Sequence, residues 1–135
     1  MKAKLFTAIL LLAAVCSCTD PRKNPTTDID VARAFIKDIL DNDYKAAKTF
    51  VLDEDMNNQY FELSKKEFES KSKDELEKYQ HSDIIINELK PVNDSVTIIN
   101  YSNTYKKSTK NEVKLVKVKG RWFVDLKHTF QQQAN

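Results

Sequence analysis

The chain of 135 residues holds two cysteines, two histidines, three prolines and a single glycine, and most of these scarcities exclude something. Both cysteines, Cys16 and Cys18, sit near the start. No disulfide can therefore staple the rest of the chain, which must stand on its hydrophobic core alone. His81 and His128 are far apart and neither has a second ligand at metal spacing, which argues against a zinc site. Asp53, Asp55 and Asn57 imitate the opening of a calcium loop, but Asn58 stands where the turn glycine belongs and Ser64 where the bidentate glutamate belongs. Acids favoured at a helix start explain them better. No cofactor is implied. An excess of one charge is also missing. Lys and Arg number 22 against 20 Asp and Glu, and Lys2 and Lys4 lie in a first segment without acids, so the remainder balances at 20 against 20. A nucleic-acid binder needs clustered positive charge to displace counterions, so that partner class is set aside.

Long apolar runs are scarce too. The longest, Leu5 to Val15, has 11 residues, enough for an export signal behind Lys2 and Lys4 but short for a bilayer span. It runs into Val15-Cys16-Ser17-Cys18, which resembles the lipobox of bacterial lipoproteins: an aliphatic residue three before the cysteine and a small residue just before it. The resemblance implies a signal peptide over 1–17, cleavage before Cys18, and acyl chains on Cys18 that hold the protein to a membrane. Residues 18–27, with two prolines and no apolar period, read as a lipidated cysteine and polar tether whose nine residues after Cys18 reach about 30 Å at most. In lipoproteins sorted between membranes, an aspartate directly after the cysteine often causes retention. Here Thr19 takes that place, which by resemblance favours the outer membrane.

From Asp28 the apolar period is helical. Ile29, Ala32, Phe35, Ile36, Ile39 and Leu40 form one stripe, Tyr44 to Leu52 a second short helix, and Asp53 to Glu69 a third. Ser72-Lys73-Asp74-Glu75 is a capping pattern that opens a short fourth turn. Near His81 the period changes to alternation and β-branched residues rise. Strands are expected at Ser82 to Leu89, Ser95 to Lys106, Glu112 to Lys119 and Arg121 to Lys127, with a turn at Pro91 to Asp94. The third strand has a phase conflict, Val113 and Leu115 pointing one way and Val116 and Val118 the other. Either both of its faces are buried or a bulge shifts its register. Residues 129–135 are polar and read as a frayed tail.

Helices followed by a four-stranded meander predict a single α+β domain over 28–128, the helices covering one face of a curved antiparallel sheet. The lipobox, the helical stretch DVARAFIKDILDNDYKAAKTF and the closing strand KGRWFVDL together resemble small bacterial lipoproteins with a cystatin-like or nuclear-transport-factor-two-like domain of unknown function. That resemblance implies a sheet wrapped on helices, often around a conical cavity, and no single activity. Enzymes on such folds use a buried acid, and Asp125, His128, Tyr101 and Tyr105 are the candidates; as surface residues they favour a non-enzymatic module. The charged run Lys65 to Lys78 reads as a solvated helix face. The candidate binding face is Tyr101, Asn103 and Tyr105 on one side of the second strand, with Phe123 on the same sheet face. These residues are either an exposed surface for a protein or glycan or, if the helices cover that face, core and cavity lining. The expected partners are the membrane through Cys18 and an envelope protein or small ligand, with inhibition of an exported toxin or hydrolase as the alternative role.

Overall fold

The computed structural model describes residues 24–133; the signal segment, Cys18 and the first part of the tether lie outside the described residues. Helix α1, Asp28–Leu40, starts where the Thr27 hydroxyl accepts from the Asp30 amide at 3.2 Å, with Asp28 and Asp30 in the favourable first turn and Lys37 in the last. It buries Val31, Ala32, Phe35, Ile36 and Leu40. Asn42 then takes a left-handed conformation, φ 59°, which Asn tolerates. Asp43 caps α2, Tyr44–Lys48, by accepting from the Ala46 amide at 3.0 Å.

Helix α2 is shorter than its apolar pattern predicts. Thr49, Phe50 and Val51 tighten into i to i−3 bonds, and the chain then runs beside the last strand, where the Val124 amide donates to the Phe50 carbonyl and the Leu52 amide to the Val124 carbonyl. Helix α3, Asp55–Glu69, begins two residues later than expected; its N-cap residue Glu54 makes no side-chain cap and pairs with Lys127. Helix α4, Lys73–Gln80, is capped by Ser72, which accepts from the Glu75 amide at 3.2 Å. No helix among the described residues is long and apolar enough to cross a membrane.

The sheet is an antiparallel meander in the order β1 (Ile84–Asn93), β2 (Val96–Asn103), β3 (Asn111–Val118), β4 (Arg121–Asp125). The α+β expectation therefore stands, with helices first and four antiparallel strands after. Strand β1 starts later than predicted and continues through Pro91 into the expected turn. As an edge strand it does not need the missing proline N–H, and its register slips at Asn87 and Val92. The turn shrinks to Asp94-Ser95, where Asn93 accepts from the Ser95 amide. Strand β2 ends at Asn103 because that side chain accepts from the Lys106 amide at 2.8 Å and turns the chain out of the ladder.

The phase conflict in β3 resolves without a bulge or double burial. Its pairings to β2 and β4 run unshifted, so Val113 and Leu115 enter the core with Ile99 and Val124, while Val116 and Val118 face away from the helices and Val118 remains 39% exposed. Between β3 and β4, Lys119 and Gly120 both have positive φ, 50° and 79°, the geometry of a two-residue hairpin whose twist matches its strands.

The end of the chain departs most from expectation. β4 stops at Asp125 and helix α5, Leu126–Gln133, replaces the expected frayed tail through Gln133. The pattern of this segment is mostly polar, and long-range contacts hold it. The Asn57 side chain accepts from the Leu126 amide, the Thr129 hydroxyl donates to the Glu112 carbonyl, and Phe130 packs on Tyr60.

Candidate functional site

Strand alternation sets which side chains meet the helices. Thr97, Ile99 and Tyr101 of β2 share the covered face; Tyr101 pairs with Ile86 on one side and Asn111 on the other. Its ring enters a cavity of about 200 Å³. Phe35 and Ile39 of α1, Tyr44 of α2, Phe61 and Phe68 of α3, and Leu126 and Phe130 of α5 supply the apolar walls. Ser64, Thr129, Lys71 and the exposed Glu67 complete the lining.

Each wall residue is there for a local reason. Phe35 and Ile39 are four apart on the α1 stripe, and Phe61 and Phe68 are two turns apart on α3, so each pair faces one way. Tyr44 opens α2 directly after its cap and is 5% exposed. It meets Phe61 edge-on at 5.5 Å between centroids and Phe68 at 6.1 Å.

Two phenols thus line the chamber beside its aromatic walls. Burial pushes the Tyr101 phenol up to about 12. Burial also raises Tyr44, helped by the Glu69 and Glu67 carboxylates and by Tyr101 itself. Both stay protonated at neutral pH and remain hydrogen-bond donors. Among the described residues neither hydroxyl has a hydrogen-bond partner.

The four residues expected on one face are divided. Tyr101 alone lines the cavity. Asn103 is buried and its side chain is engaged with the Lys106 amide. Tyr105 lies past the end of β2, edge-on to Tyr79 at 5.0 Å, with the Lys106 ammonium 5.5 Å from both rings. Phe123 is on the opposite sheet face, because it pairs with Val116 while its neighbour Val124 pairs with the core residue Leu115. There the Arg121 guanidinium lies 5.2 Å from its ring centre.

The acid candidates are elsewhere. Asp125 is buried on the side of the sheet away from the cavity, between Lys114 at 3.6 Å and Lys127 at 3.9 Å. His128 lies 3.1 Å from the Glu112 carboxylate and does not line the chamber. Among the described residues no group of three or more His, Cys, Asp or Glu could hold a metal ion.

Sequence reasoning missed Tyr44, Phe61, Phe68 and Phe130 as site residues. Their spacing marks an apolar helix face, and the same signal serves a filled core and a hollow one. Compared with family models, curated proteins and solved structures, the chain matches none.

Proposed function

We propose that the chain is an exported lipoprotein of the cell envelope, held to the outer membrane by acyl chains on Cys18, with a cystatin-like or nuclear-transport-factor-two-like domain that binds and does not catalyse. Its site is the chamber between the helices and the sheet, and its ligand is small. The observation that carries this reading is the pair of phenols, buried Tyr44 and half-buried Tyr101, that line one cavity with Phe35, Phe61, Phe68 and Phe130 and make no protein hydrogen bond among the described residues. Hydroxyls that open into a largely aromatic cavity are free to donate to a ligand with a hydrogen-bond acceptor.

The test is native mass spectrometry of protein released gently from membranes. The wild type should carry a small molecule that Ser64→Trp, which fills the chamber, does not. Equal spectra for the two would reject the cavity as the site. Anchoring is tested separately: a palmitate analogue should label the wild type and not Cys18→Ala.

A second reading has one observation in its favour. The face away from the helices carries Ile98, Val116, Val118 and Phe123, a short apolar stripe that suits contact with an envelope protein, including an exported toxin or hydrolase that the domain would inhibit. A photoreactive group at Phe123 that captures one dominant protein would favour this reading.

A further inference from the structure

Size, charge and polarity of the chamber together narrow its ligand. A dry cavity of ~150 Å³ is known to hold benzene. The volume here, about 200 Å³ in a cavity partly open to solvent, accommodates one ring and a short substituent. Phe35, Phe61, Phe68 and Phe130 present ring edges and faces to such a body.

Charge decides the head group. Among the described residues Lys71 is the only cation in the lining, half-buried and 6.0 Å from the centre of the Phe68 ring. Glu67 also lines the chamber, and it and Glu69 are near enough to Tyr44 to disfavour its phenolate. A carboxylate at the phenols would lose its water and face these acids, while Lys71 sits over the Phe68 ring and is not among the charges that act on either phenol. A neutral acceptor pays no such penalty, and two protonated hydroxyls match the two lone pairs of one carbonyl oxygen.

We propose that the chamber takes a neutral single-ring carbonyl compound, its ring among the phenylalanines and its oxygen accepting from the Tyr44 and Tyr101 hydroxyls. This rests on the cavity-binding reading above.

Three probes of similar shape separate the two claims: acetophenone, ethylbenzene and benzoate, titrated against the purified full-length protein and followed by NMR chemical shifts. Acetophenone should bind about three- to tenfold more tightly than ethylbenzene, the worth of one or two net hydrogen bonds, with benzoate weakest. Tyr101→Phe and Tyr44→Phe should each reduce acetophenone affinity by about three- to tenfold and leave ethylbenzene unchanged. If ethylbenzene or benzoate binds as tightly as acetophenone, the cavity reading survives and the carbonyl inference is wrong. If none of the three binds, both are wrong. The wild-type ranking decides the matter even if one phenylalanine variant fails to fold.

Discussion

The ring of Phe130 lies flat on the ring of Tyr60, centroids 4.4 Å apart and planes within 5° of parallel. This contact ties α5 to α3 and makes the end of the described chain a wall of the cavity. Phe130→Ala should lower stability by about 1–2 kcal/mol, since the ring is half-buried. The α5 amides should then exchange hydrogen faster than the rest. An unchanged denaturation midpoint with unchanged exchange would mean that α5 is held by other contacts.

Asn57 is fully buried, and its side-chain oxygen accepts from the Leu126 amide at 2.9 Å, at the junction of β4 and α5. Asn57→Ala leaves that amide without a partner and should cost about 2–3 kcal/mol in urea unfolding. The Asn57 nitrogen has no partner among the described residues, so Asn57→Asp, which keeps the carbonyl acceptor, should recover part of the loss where its carboxyl is protonated.

Alkali should unfold the protein through its buried phenols. Tyr101 is raised from an ordinary 10.0 to about 12. Between these values the unfolded chain releases a proton that the folded chain keeps, so the folded state is favoured fully below pH 10 and progressively less as pH rises toward 12. The loss from Tyr101 is about 2–3 kcal/mol, and Tyr44 shifts in the same direction. Phenolate absorbance followed alongside unfolding should show a late-titrating group that Tyr101→Phe removes. Ordinary titration of every tyrosine would refute the burial of this phenol.

The β3–β4 hairpin offers a cleaner backbone test. A Cβ on Gly120 would meet nothing within 4 Å, so Gly120→Ala probes φ alone and should cost about 1 kcal/mol. Lys119→Asn should stabilise by about 0.5 kcal/mol, because Asn accepts positive φ more readily than Lys. Both are read from thermal midpoints; a neutral Gly120→Ala would show that the turn relaxes.

Local chemistry made much of this fold legible. The caps at Thr27, Asp43 and Ser72, the stripe of α1 and the alternation of β2 all lie within a few residues of the structure they specify. What sequence reasoning misplaced depends on distant partners. Helix α5 has a polar face pattern and exists through Tyr60, Asn57 and Glu112; α2 stops early because Phe50 to Leu52 meets Val124. Alternation continues past Asn103 to Tyr105, but the Asn103 side chain ends the strand. The cavity was the least legible part. Whether the phenylalanines of two helix stripes interlock or stand apart depends on how the helices sit on the sheet, which no spacing within either stripe encodes.

The two borders of the sheet bear on how copies of this chain would meet. On one side Phe50 to Leu52 already occupies the hydrogen-bonding groups of Val124. On the other, β1 carries Pro91, two slips of register and the outward charges of Glu88 and Lys90. A lipid anchor would concentrate copies side by side in two dimensions, where a bare strand invites a neighbour's strand and then a fibre. With one border occupied and the other kinked and charged, neighbouring copies can touch without zipping their sheets together.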